Sequence, residues 1–163
     1  MNPSFHKFQR IIRNPILFKF FILQRLSAAF WAGLNIQHFD EKTCVVRVKK
    51  SWFNQNPFNS MYFAVEAMAA EMSCGMLAFS QVYERIPAIS MLIEKMEASF
   101  IKKASGIILF TCEDGEAIQH TIQTAIQRGE GTKLVCKSTA RNEEGMIVAE
   151  FLLTWSFKVK SKS

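Results

Sequence analysis

Histidine is scarce in this chain: His6, His38 and His120 are the only three, and none falls in a Ser/His/Asp order or offers a nearby cysteine its base. Nucleophilic triads and histidine-based metal clusters are excluded on that ground. Four cysteines, Cys44, Cys74, Cys112 and Cys136, lie far apart without CxxC spacing, each in apolar surroundings, and read as reduced, buried thiols. Seven glycines supply no glycine-rich phosphate loop. No carboxylate precedes Asp40, yet Lys7, Arg10, Arg13, Lys19 and Arg25 break the apolar runs of that segment well short of the roughly 20 residues a bilayer span needs. A signal peptide, a repeat, a low-complexity tract and a linker are also missing, so a cytoplasmic protein of one domain, 1–163, is expected.

What is present is apolar. The chain of 163 residues is 49% hydrophobic and 21% charged, long enough for a real core. Its net charge of +6 suits an acidic partner such as an anionic membrane surface or a phosphorylated cofactor. A dense Lys/Arg block with interleaved aromatics does not occur, so nucleic acid is not an expected partner.

The organising stretch is 56–79, NPFNSMYFAVEAMAAEMSCGMLAF, which reads as one helix that is apolar on nearly every side. Such a helix has to be wrapped by other structure. Its only charges are Glu66 and Glu71, and at about 100° per residue they point roughly 140° apart, too far to form one acid dyad. Around Glu71 the same arithmetic gathers small residues, among them Ser60, Ala64, Ala67, Met68, Cys74, Gly75 and Ala78, which admit a backbone or a thin ligand. Around Glu66 the neighbours are bulkier: Asn59, Tyr62, Phe63, Ala70, Ser73 and Leu77.

Along the chain, an amphipathic helix is expected from Pro15, after Asn14, to near Gly33, packed on the domain or lying in a membrane interface. Strands follow at 34–39 and 43–49 around the turn Asp40-Glu41-Lys42. A polar loop, 51–57, leads to the central helix, with Asn59 or Ser60 as its N-cap and its end near Ser80. Strand-like runs come at 89–101 and 105–112. A short helix from Glu113 carries Ile118, Ile122, Ala125 and Ile126 on one stripe and closes at Arg128-Gly129. A hairpin of 133–141 and 146–159 ends the core, and 160–163 is expected to be a solvated tail.

Helix, two strands, one long wrapped helix and about four more strands is an order that resembles the hotdog fold. The expectation is an α+β chain in which a curved antiparallel sheet of about six strands wraps a long central helix, with an extra N-terminal helix (1–33 helical segment, 34–159 hotdog core). More narrowly the chain is similar to small bacterial hotdog proteins grouped with PaaI-like acyl-CoA thioesterases. In those an Asn precedes the central helix, a His-Gly-Gly turn opens it, an acidic residue follows about two turns later, and a Ser or Thr lies early in the next strand. Asn56, Glu71 and Ser90 stand at those places, while Tyr62-Phe63-Ala64 replaces His-Gly-Gly. Glu66-Ala67-Met68-Ala69 also matches the Glu-Ala-Met-Ala of hotdog dehydratases, but Trp52 occupies the position of their histidine, so their proton shuttle is missing.

The resemblance implies hydrolysis of an acyl-CoA or acyl-carrier thioester, with coenzyme A only as part of the substrate and no metal. Glu71 would be general base or nucleophile, Asn56 would hold the carbonyl oxygen with amides near Tyr62, Phe63 and Ala64, and Ser90 would hold the water. Ser60, Met68 and Gly75 would border the acyl group. Resembling enzymes build such sites from two chains, so a homodimer is expected, or a tetramer. Other readings stay open: Glu71 as a structural carboxylate capping strand amides, Asn56 as an ordinary turn former, and the whole as a non-catalytic hotdog domain for an acyl ligand or a protein partner.

Overall fold

A computed structural model of the protein describes residues 1–160; the expected solvated tail, apart from Lys160, lies outside the described residues. Helices α1 (Phe5–Arg13), α2 (Pro15–Arg25) and α3 (Ser27–Trp31) lead into strands β1 (Asn35–Phe39) and β2 (Cys44–Lys49). A single 3-10 turn, Trp52–Asn54, precedes α4 (Phe63–Val82). Then come β3 (Ile89–Phe100), β4 (Ile107–Cys112), α5 (Gly115–Arg128), β5 (Thr132–Arg141) and β6 (Ile147–Val159). The six strands form one antiparallel sheet in the order β1-β2-β4-β5-β6-β3, curved around α4. This is a hotdog fold.

Strand alternation gives the sheet its inner face. Val46 and Val48 of β2, Ile108 and Phe110 of β4, Cys136 and Ala140 of β5 and Phe151, Leu153 and Trp155 of β6 are buried. They close on a helix whose residues from Ala69 to Ala78 are buried except for Glu71. Within that core Ser73 of α4 and Ser138 of β5 share a hydroxyl–hydroxyl bond of 2.8 Å, so neither oxygen is left unpaired. Cysteines far apart in sequence meet here. Cys44 and Cys112 are partners across β2 and β4, and the neighbouring Cys112 and Cys136 thiols, with burial, push the Cys74 pKa well up. All four are free and buried.

The side of α4 that the sheet leaves open is covered by the chain's first residues. Phe8 packs on Phe79 and Tyr83 at ring separations of 5.1 Å, and Asn2 donates its side-chain amide to Ser80 O and Tyr83 O. Those are carbonyls of the last turn, which have no partner inside the helix. Of the described helices, α4 alone is long and apolar enough to cross a membrane, and two thirds of that stretch (67%) is buried within the fold.

The N-terminal segment departs from the single helix expected over 15–33. Asn14 takes an extended backbone (φ −93°, ψ 111°), ends α1 and caps α2 by accepting from Ile16 N and Leu17 N, with Pro15 at the first position. Leu26 (φ −141°, ψ 56°) then separates α2 from α3. The central helix also starts later than expected. The first helical residue is Phe63, so the N-cap is Tyr62 and neither Ser60 nor Asn59, which turns left-handed at φ 59° four residues before the helix. By contrast α5 matches its reading, with Ile118, Ile122 and Ala125 buried and Gly129 closing it at φ 68°.

Gly115 shows how tightly α5 seats on the β1–β2 turn. A Cβ there would lie 2.2 Å from Glu41 O and 2.6 Å from Lys42 Cα, both backbone atoms that cannot swing aside. Gly115→Ala is expected to lower unfolding free energy by about 1–3 kcal/mol, as overpacking does, read as a shifted urea midpoint at unchanged slope.

Candidate active site

Glu71 lies on the one face of α4 that is neither under the sheet nor fully covered by the N-terminal helices. Its groove, of about 440 Å³, is walled by Phe21, Leu26, Met76, Phe79 and Met91, with Arg25 also on the wall. The carboxyl folds back over Gly75, one turn on. A Cβ at Gly75 would sit 2.6 Å from Glu71 Oε1 and 3.4 Å from Trp155 Cζ2, so the glycine is what makes room for the carboxyl beside the indole. Burial pushes the Glu71 pKa up to about 7, with no cation or hydrogen bond among the causes. At neutral pH such a group divides its time between acid and base.

Glu66 sits in a second cavity, of about 490 Å³, lined by Asn56, Ser60, Met61, Tyr62, Phe63 and the segment from Phe100 to Ala104. It is only 5% exposed, and its Oε2 has no hydrogen-bond partner among the described residues. Burial pushes its pKa up to about 7 as well. Among the described residues the Nε1 of Trp155 is the other buried side-chain nitrogen or oxygen without a partner.

Asn56 holds a turn. Its Oδ1 accepts from Phe58 N and Ser60 N, its Nδ2 donates to Ser60 Oγ and Met61 O, and Gln55 bridges Met61 across the loop. The turn sets where α4 begins. Tyr62 gives its helix no side-chain cap, so the first amides, at Phe63 and Ala64, stay open to another acceptor. The Tyr62 and Phe63 rings stand exposed beside them, edge to face at 4.9 Å.

The structure therefore divides the residues singled out from the sequence. Asn56, Ser60, Tyr62 and Phe63 share the Glu66 cavity, Glu71 and Gly75 share the groove, and the two share no wall. Ala64 and Met68 are half-buried on α4 and line neither. Ser90 is exposed at the start of β3, its hydroxyl donating to Lys158 O. Sequence reasoning missed the contribution of α2 to the groove, through Phe21 and Arg25, and that of Trp155 behind Gly75. Among the described residues no group of three or more His, Cys, Asp and Glu side chains is placed to hold a metal.

A family model described as a domain of unknown function, DUF4442, matches residues 17–157. No curated protein matches the chain in sequence. Among solved structures it is similar to a protein of unknown function from Pseudomonas aeruginosa described as a probable thioesterase, with TM-score 0.76 and 19% identity over 90% of this chain and 97% of that one. A protein of unknown function from Chlorobaculum tepidum gives TM-score 0.74 and 17% identity over 87% and 92% of the two chains. A thioesterase from Haemophilus influenzae gives 0.59 and 16% over 84% and 86%. What these likenesses share with the chain is the fold.

Both carboxyls make stability depend on pH. In the unfolded chain each titrates near its ordinary value of 4.5, while in the fold each does so near 7. A raised carboxylate pKa contributes stability that is present below the unfolded value and lost as pH rises through the folded one. Unfolding free energy is expected to fall between about pH 4 and pH 8, by at most about 3 kcal/mol per group. In Glu66→Gln and in Glu71→Gln that fall should shrink, as measured by urea titration at both pH values.

Proposed function

The chain belongs to the DUF4442 family, and from that footing on a hotdog fold we propose that it is an acyl-thioester hydrolase with Glu71 as general base. The observation that carries this reading is the Glu71 carboxyl itself: it lies on the central helix in an apolar groove and is pushed to a pKa of about 7 by burial alone. A base that titrates near ambient pH is both present in its active form and strong enough to take a proton.

In the proposed reaction Glu71 accepts a proton from water as the water oxygen bonds to the thioester carbonyl carbon. The carbon–sulfur bond then breaks, and Glu71 returns the proton to the departing thiolate, leaving a carboxylic acid and a free thiol. The developing oxyanion needs donors, and the uncapped amides of Phe63 and Ala64 are the open ones. Asn56 positions these amides through its turn. Substrates would be acyl-CoA or acyl-carrier thioesters; the coenzyme's phosphates suit a chain of net charge +6. Four free, buried cysteines fit a cytoplasmic setting.

Because the groove and the amides lie on different sides of α4, a working site would take Glu71 from one protomer and the Phe63 end from the other. The surface is suited to such pairing. Trp52, Phe53, Phe58, Phe63 and Phe100 are exposed near the helix start, and β3 is a twelve-residue edge strand paired, among the described residues, with β6 alone. A homodimer is the proposed minimum, with a tetramer built from it as the further option.

The exposed Tyr62–Phe63 ring pair supports a second reading, since bulk at the helix start narrows the approach to its amides: a hotdog domain that binds acyl ligands without cleaving them. A panel of short, long and aromatic acyl-CoA esters separates the two. Glu71→Gln is expected to lower kcat about a hundredfold to ten-thousandfold against a small effect of Glu66→Gln. Mixing Asn56→Ala with Glu71→Gln protomers should restore about a quarter of wild-type activity, because half the dimers are mixed and each has one intact site. Turnover of no ester, with acyl ligands still bound, would establish the binding reading.

A further inference from the structure

The unexplained part of the molecule is α2. Its inner face is spent on the fold: Phe18 and Ile22 are buried, and Phe21 and Arg25 line the Glu71 groove. Its outer face is apolar as well. Ile16, Phe20 and Leu23 follow at i, i+4 and i+7, which aligns them in one stripe; among the described residues Ile16 is 68%, Phe20 60% and Leu23 38% exposed. Trp31, at the end of α3, is 62% exposed.

Charge says what could lie against this stripe. The first 39 residues carry five cations and no carboxylate. Lys7 is paired with Glu84, whereas Arg10, Arg13, Lys19 and Arg25 make no ion pair among the described residues. A second copy is a poor occupant, because a twofold contact through α2 would set Lys19 and Arg13 against their own counterparts with no acid between them. A surface that is apolar below and anionic above answers both features at once.

We propose that α2 and α3 form a docking face for an anionic lipid bilayer, with the Ile16–Phe20–Leu23 stripe and Trp31 in the interface and Arg13 and Lys19 on lipid phosphates. At eleven residues α2 is about 16 Å long, too short to span and of the right form to lie flat. The long stems of Lys19 and Arg13 let their charges reach headgroups while the stripe sinks in. Since α2 is also a wall of the groove, docking holds that groove beside the acyl-chain layer. The contact stands whether or not the groove hydrolyses anything.

The test is sedimentation of the full chain with vesicles of phosphatidylcholine alone and of phosphatidylcholine with phosphatidylglycerol. Binding to the anionic vesicles is expected to exceed binding to the neutral ones by at least about tenfold and to weaken with added salt. Two variants confined to exposed positions, Ile16→Ser with Phe20→Ser and Arg13→Glu with Lys19→Glu, should each abolish it while melting temperature and particle mass stay at the wild-type values. Equal binding to both vesicles, binding to neither, or variants that still sediment would overturn the proposal. A fall in particle mass on Ile16→Ser with Phe20→Ser would overturn it too, by making the stripe a contact between copies.

Discussion

The constraint on which the structure depends is that α4 has almost no face fit for water. A helix with an apolar circumference has to be enclosed, and one flat sheet cannot enclose it. The six strands therefore curve, and the remaining side is closed by Phe8 of α1, Phe21 of α2 and Asn2 ahead of them. Each polar group admitted into this enclosure has to be matched or left at a cost of about 1–3 kcal/mol. Ser73 with Ser138 and Asn2 with the last-turn carbonyls are matched. Among the described residues the exceptions are Glu66 Oε2 and Trp155 Nε1, and for both Glu66 and Glu71 the fold answers burial by favouring the neutral carboxyl.

Much of this was legible in the sequence, because it depended on periodicity. The wrapped helix, the order of the strands and the stripe of α5 each repeat a simple spacing that a single chain displays. Boundaries controlled by one residue's backbone were not legible. Nothing in the composition says that Asn59 turns left-handed, or that Leu26 breaks what looks like one continuous helix from Pro15 to near Gly33. The site was read in the same uneven way. The angle between Glu66 and Glu71 follows from helix geometry and appears as two cavities without a common wall. What completes each cavity comes from distant segments, Phe21 and Arg25 in one case and Phe100 to Ala104 in the other, and local spacing carries no signal of them.

The segment before α4 explains how the chain departs from the pattern it resembles without losing its logic. Glycines at a helix start give a ligand close access to the backbone. Here the access has to come from elsewhere, since Tyr62 and Phe63 bring two rings to that position. The Asn56 turn supplies an alternative. By closing 55–61 on itself it satisfies its own polar groups and delivers the chain to Phe63 with no side chain hydrogen-bonded to the first helical amides. Asn56 is fully engaged in that turn, through both ends of its amide. Its influence on anything bound at the helix start therefore passes through the amides it sets in place, and not through a free carboxamide of its own.

The same reasoning separates the two carboxyls. Glu66 has an oxygen without a partner inside a cavity bounded by aromatic rings, and it is nearly withdrawn from water. Glu71 is withdrawn less completely and has space in front of it, because Gly75 lets it fold back along the helix beside Trp155. A group that must exchange protons with a substrate needs desolvation to bring its pKa near 7 and an opening through which the substrate arrives. Both carboxyls meet the first requirement. For the second, Glu66 faces a cavity of about 490 Å³ and Glu71 a groove of about 440 Å³, and it is the Glu71 groove that α2 walls, so a helix that encloses the apolar core also borders that carboxyl.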